Sequence, residues 1–228
     1  MNENNSTKLI LILTTILFVC LATTKRANAQ FGLGTLPIDV LYTNTFNDSN
    51  QWLNVGYTLF EVDTTAPYGS FVSNYMGAIN STTASDGFAM IDLDAQPTSS
   101  NTQFGMLALQ ETIVVDGYDN YGIGLHSFYG RYDATDSVFI TIFKTSNNPQ
   151  FNIPVDTTIQ LHAGLDVSSI EDSIHWIDLS NFLSSGDEFT VAFECRSSWG
   201  LAWMIDDFNV VAWNPTVVIS GIEDLPTF

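Results

Sequence analysis

Two neighbouring carboxylates, Asp206 and Asp207, sit in the middle of LAWMIDDFNVVAW (Leu201–Trp213), a stretch otherwise rich in Trp, Met, Ile, Phe and Val. Neighbouring side chains of a strand point to opposite faces, so at least one of the two is expected on a buried face. A buried carboxylate without a partner is costly or shifts its pKa. Two kinds of partner fit. One is a hard cation, calcium above all, with loop carbonyls completing the oxygen shell. The other is a set of backbone N–H groups from a neighbouring turn. Strict alternation puts Asp206 with Ala202, Met204, Phe208 and Val210, and Asp207 with Trp203, Ile205 and Val211. Both phases are apolar, so the pair is not a solvated edge.

Other reactive groups are sparse. The three histidines, His126, His162 and His175, form no H-E-x-x-H and no pair at zinc-ligand spacing. Each reads as a packed or surface polar group. There is no G-x-S-x-G elbow and no phosphate loop. Glu111, Glu171, Glu188 and Glu194 could meet in space as a glycosidase pair, but among 25 acidic residues such a pairing carries little information. A jelly-roll hydrolase therefore stands as the lesser alternative to a non-catalytic protein. Asp92-Leu93-Asp94 begins like an EF-hand loop but lacks its glycine and distal glutamate. Cys195, in phase with Val191 and Phe193, reads as a buried thiol. The loops GYDNYG (117–122) and SFYGRYD (127–133) bring Tyr118, Tyr121, Tyr129, Arg131 and Tyr132, and Trp199 follows later. Such rings stack on sugars or anchor a protein partner, or else pack at the rim of the core.

The elements that must position these groups are strands. VGYTLFEVD, GFAMIDLD, ETIVVD, YGIGLHSFYG, DSVFITIFK, HWIDL and EFTVAFEC are rich in β-branched and aromatic residues, with turn clusters between them. Many short strands with frequent turns predict an all-β, antiparallel two-sheet jelly-roll sandwich. In EFTVAFEC, Phe189, Val191, Phe193 and Cys195 are expected to face the core. In GFAMIDLDA, Ala89, Ile91 and Leu93 share one face, and Asp92 and Asp94 share the other with Phe88 and Met90. DSVFITIFK is apolar in both phases and is expected to be covered on both sides. Residues 166–174 are expected to hold a short helical turn.

Leu9–Ala22 is an apolar run after Lys8, followed by the small-residue pattern Ala27-Asn28-Ala29. This predicts an export signal over 1–29, cleaved after Ala29, and a secreted or cell-surface protein without membrane insertion after cleavage. The expected order is then a lead-in over 30–42, a jelly-roll domain over 43–213, and a tail over 214–228. The formal net charge is −19, and beyond the signal the only basic residues are Arg131, Lys144 and Arg196. Such a surface repels nucleic acid and anionic membranes and attracts cations.

Several stretches in order, SDGFAMIDLDA, LALQETIVVDGYDNYGIGLHSFYG, DSVFITIF, HWIDLS and DEFTVAFECRSSWGLAWMIDDFNV, resemble the MAM-like, concanavalin-like jelly-roll domains of secreted Bacteroidota proteins. The resemblance implies an accessory or adhesive module that binds a glycan or a surface protein, or serves as a structural subunit of an extracellular assembly. It also implies a structural calcium near the first strand and the closing aspartates, which carries over to Asp206 and Asp207 only; Asn47 and Asp48 are added as further candidate ligands. Where the family has Phe-Glu, this chain has Phe46-Asn47. The tail SGIEDLPTF resembles the lead-in to a type IX sorting domain, which implies export machinery as a further partner.

Overall fold

Alternating apolar residues in the longest strands meet across a single inter-sheet space. Phe189, Val191, Phe193 and Cys195 are all buried there, in the phase predicted from the sequence. The computed structural model describes residues 38–95, 103–145, 155–198 and 200–214. Within them twelve strands form two sheets.

The first sheet runs β10 (Ser169–Asp178), β7 (Asn120–Arg131), β12 (Ala202–Trp213), β4 (Phe88–Asp92), β3 (Glu61–Asp63), with β1 (Asp39–Asn44) also paired to β12. The second runs β2 (Trp52–Gly56), β5 (Gln103–Leu109), β11 (Asp187–Ser197), β8 (Ser137–Thr145), β9 (Val155–Leu161), with β6 (Ile113–Val115) also paired to β11. The pairs with a defined register are antiparallel. The chain is thus the all-β two-sheet sandwich that its alternation predicts. β1 begins at Asp39, earlier than the expected start at Thr43.

Aromatic rings fill the inter-sheet core. Phe46 stacks on Trp52 with centroids 4.8 Å apart, and Phe193 meets Phe46, Trp203 and Phe208 edge-on. Offset and edge-on pairs of this kind add about 0.5–1.5 kcal/mol each beyond area burial. A second, smaller core lies on the outer face of the first sheet. There Phe88, Met90, Phe128, Ala202 and Met204 are covered by Val72, Met76 and Ile79 of the long β3–β4 connection.

Residues 166–174 form no helix. Ser169 onward is strand β10, at the edge of its sheet. Strands from Val40 onward belong to one unit, Val40–Val218. A second unit takes Met1–Asp39 with Ile219–Phe228 and, apart from Ile38 and Asp39, lies outside the described residues. The expected signal over 1–29 and nearly all of the tail from 214 lie outside them too.

Candidate functional site

Asp206 and Asp207 fasten the covering connection to the first sheet. The β12–β7 register shifts between Asp206 and Asn209, and Asp207 adopts φ +50°. That left-handed conformation is one that Asp and Asn tolerate better than β-branched residues. The resulting bulge resets the phase of the strand. Trp203 and Ile205 before it, and Phe208, Val210 and Ala212 after it, all face the inter-sheet core. Asp206 joins Met204 and Ala202 on the outer face. This corrects the unbroken alternation, which grouped Asp206 with Phe208 and Val210, and Asp207 with Trp203 and Ile205.

On that face the hydroxyls of Ser81 and Thr83 donate to Asp206 Oδ2 at 2.5 and 3.0 Å. Asp207 accepts from the Thr82 N–H and from the Thr82 and Thr83 hydroxyls at 3.1, 2.7 and 2.6 Å. Burial holds the Asp206 carboxyl above the usual range, and the Ser81 hydroxyl opposes this. Its Oδ1 is buried with no partner among the described residues. Asp92 and Asp94 fasten the same connection. Asp92 accepts from the amides of Tyr68 and Gly69, and Asp94 from those of Phe71 and Val72. Of the other expected calcium ligands, Asp48 accepts from the Asn50 amide and caps its own 3₁₀ turn, and the Asn47 backbone passes beside Gly87. Among the described residues no group of three or more His, Cys, Asp or Glu is placed to hold a metal ion.

The expected ligand-binding set is not brought together. Tyr121 is fully buried, and its hydroxyl donates to the Tyr118 carbonyl at 2.7 Å. Tyr118 is half-buried against the core. Tyr129 is buried beside His162, its rings 5.5 Å away, and has no hydroxyl partner among the described residues. Tyr121 and Tyr129 thus lie in the core, because β7 turns that phase inward. Arg131 spends its guanidinium on the carbonyls of Asp133, Ala134 and Leu165. Only Tyr132 is exposed, edge-on to Phe71, which in turn lies against Tyr75. Trp199 lies outside the described residues.

The outer face of the second sheet is different. Directly opposite residues of antiparallel strands point the same way, so Glu194, Met106 and Phe139 share a row, as do Arg196 and Phe104. Gln160 of β9 stands beside Phe139, and Val55 of β2 beside Met106. Phe104, Met106, Phe139 and Phe143 are half-buried, and Leu53 and Val55 are exposed. This corrects the expectation that DSVFITIFK is covered on both sides: Val138, Ile140 and Ile142 are buried, but Phe139 and Phe143 face outward. The Arg196 guanidinium lies over the Phe139 ring, 5.1 Å from its centroid. Its Nε donates to Glu194 Oε1, and the Arg196 side chain is 59% exposed. Lys144, by contrast, is held by Asp187 at 2.6 Å and by the Phe182 carbonyl. Among the described residues Arg196 is therefore the exposed cation, with most of its donors turned to solvent.

Sequence reasoning missed a polar cluster at the β9–β10 corner. His162, at φ +52°, is buried. Its Nε2 lies 2.8 Å from Ser127 Oγ and 3.1 Å from His175 Nε2, and its Nδ1 lies 2.8 Å from Glu171 Oε2. The Trp203 indole N–H donates to the same serine oxygen at 2.8 Å. Burial holds both imidazoles below the ordinary histidine range, His175 at about 4, where the neighbouring His162 adds to the effect. The hydrogen bond with His162 holds the Glu171 carboxyl below its usual range. One signal was available in SIEDSIHWID. Two of its three isoleucines, Ile170 and Ile174, are exposed, while Glu171, Ser173 and His175 take the inward phase that ends on the buried Ile177.

No family model matches the chain, and no curated protein matches it. Among solved structures the chain is similar to the carbohydrate-binding module TmCBM61 in complex with β-1,4-galactotriose, at 11% identity and a TM-score of 0.40, covering 73% of this chain and 91% of that one. It is similar to the CBM22-1 xylan-binding domain of Xyn10C from Paenibacillus barcinonensis, at 10% identity and a TM-score of 0.42, covering 77% and 96%. It is also similar to the family 11 carbohydrate-binding module from Clostridium thermocellum in complex with a β-1,3-1,4-mixed-linked tetrasaccharide, at 11% identity and a TM-score of 0.40, covering 78% and 97%. Likenesses at this level carry no argument about ligand or activity.

Proposed function

We propose that the protein is a secreted, non-catalytic module that binds a neutral glycan across the outer face of its second sheet. The observation that carries this reading is Arg196, exposed and held over the half-buried Phe139 with Glu194 at its side. A guanidinium with free donors, a carboxylate acceptor and half-exposed rings are the groups that grip vicinal hydroxyls and the apolar faces of sugar rings. A net charge of −19 disfavours polyanionic chains. The reading includes removal of residues 1–29 by export machinery and display outside the cell, as a MAM-like accessory domain. The test is calorimetric titration with neutral polysaccharides (β-glucans, xylan, galactan, mannan) against a polyuronate. One neutral polymer binding to the wild type, and weakly to R196A, is the expected result. No binding across the panel overturns the reading.

A structural subunit that assembles with copies of itself is the second reading, favoured by Leu53 and Val55, which are 53% and 39% exposed at the β2 edge of the same face. It predicts concentration-dependent assembly by light scattering that L53D abolishes.

The structural calcium belongs to the same proposal, at Asp206 and Asp207 with Asn47 and Asp48. Asp206 Oδ1, without a partner among the described residues, supports it; the hydroxyls of Ser81, Thr82 and Thr83 are the competing partners. An ion bound only by the folded state raises its stability. Melts with calcium and with chelator that coincide reject the site.

A further inference from the structure

We propose that His162 and His175 form a binding site for a divalent transition cation of the zinc, copper or nickel class. Their Nε2 atoms are 3.1 Å apart, and the rings cross at 79°. Imidazole nitrogens bind such ions at about 2.0–2.1 Å, so two adjacent ligands stand about 3 Å apart. His162 Nε2 has one lone pair but two close neighbours, Ser127 Oγ at 2.8 Å and His175 Nε2 at 3.1 Å. A single lone pair does not accept two full hydrogen bonds. A cation between the two nitrogens takes both lone pairs, and the Ser127 oxygen then keeps the Trp203 indole N–H as its partner. Ser173 Oγ, 3.2 Å from His175 Nε2, is a further neutral oxygen at the same place.

The surroundings fit this use. Glu171 accepts from His162 Nδ1 at 2.8 Å, which fixes the tautomer that leaves Nε2 free for an ion. A cavity of about 510 Å³ opens beside the pair, lined by His162, His175, Glu171, Asp166 and Ser169 among others. The pair thus borders open space that can supply water to an ion's shell. Two imidazoles without a third ionisable ligand make an open site, selective for imidazole-seeking ions over calcium or magnesium. Over Ile170–His175 the alternation of β10 is inverted, with Ile170 and Ile174 outward and Glu171, Ser173 and His175 inward, before Ile177 returns to the apolar core.

The test uses the full chain, stripped with chelator and titrated with Zn²⁺, Cu²⁺ and Mg²⁺. The expected result is one Zn²⁺ or Cu²⁺ per chain, an upward shift of the melting midpoint, and nitrogen couplings from two imidazoles in the Cu²⁺ spin-resonance spectrum. Mg²⁺ gives no shift. His162 is tied into the core and H162A endangers folding, so the decisive variant is H175A. It loses the two-nitrogen spectrum and the thermal shift. H126A keeps both, because His126 pairs with Asp172 on the opposite face of the sheet. E171Q weakens binding about tenfold, as loss of an orienting carboxylate does. Binding that is absent in the wild type, unchanged in H175A, or lost in H126A overturns the proposal.

Discussion

The sandwich has two outer faces, and they have opposite fates. On the first sheet, Phe88, Met90 and Met204 point outward and are buried, because the β3–β4 connection lies over them and four aspartates, Asp92, Asp94, Asp206 and Asp207, hold it down. On the second sheet, Phe104, Met106 and Phe139 point outward and stay half-exposed around Arg196 and Glu194, and Phe143 does so farther along β8, opposite Thr190. Both rows read as apolar strand residues. What separates them is the covering chain and its anchors. Carboxylates on the covered face hold structure together, while the exposed cation among the described residues, Arg196, sits on the second sheet's outer face. Stability is therefore concentrated on one side and recognition on the other.

The same residue type on the two faces gives the largest contrast. Met204→Ala removes a fully buried side chain and is expected to cost about 2–5 kcal/mol. Met106→Ala, on the open face, is expected to cost about 1 kcal/mol or less, as a half-buried apolar group does. Denaturant midpoints of the two variants measure the difference. Equal losses would mean that the second face is covered as well.

Asp206→Ala is expected to cost about 1–3 kcal/mol, because it strips the Ser81 hydroxyl of its carboxylate, leaves Thr83 with Asp207 alone and loosens the connection. Limited proteolysis then cuts within residues 64–87 faster than in the wild type. An unchanged cutting rate would show that the aspartates do not hold the cover.

Acid acts on the corner between the sheets. His175 in the folded state lies at about 4, below its ordinary 6.5. Between these values the unfolded chain binds the proton and the folded chain does not. Stability is therefore full above about pH 6.5 and declines as pH falls toward 4. H175A removes its share of that decline, measured as a flatter plot of melting midpoint against pH. The smallest expected effect is on the open face: R196A changes stability by no more than about 0.5 kcal/mol.

Much of the fold was legible in the sequence. The phase of Phe189, Val191, Phe193 and Cys195, and the split of Ala89, Ile91 and Leu93 from Phe88 and Met90, follow from a period of two and the need to bury one face. The site was less legible, for reasons that particular residues make plain. Asp206 and Asp207 mark a bulge, and a strict alternation cannot show a phase reset that one left-handed residue creates. Phe139 and Phe143 gave no sign of being open, because a phenylalanine under a covering loop and one on a bare sheet have the same letter. Tyr121 and Tyr129 looked like loop rings because the start and end of β7 were placed inside turn-like clusters. His162 and His175 are thirteen positions apart, and only the β9–β10 turn brings them into contact.

The most direct measurement of the account is the affinity of the wild type and of R196A for the neutral polysaccharide that the panel selects, with melting midpoints taken alongside. Loss of a charged group that stacks and donates at the centre of a binding face weakens association by about 2 kcal/mol or more, roughly thirtyfold. The account predicts that loss with an unchanged midpoint. Equal affinity of R196A and wild type, with Y132A instead abolishing binding, would contradict it and move recognition to the rings of Phe71, Tyr75 and Tyr132.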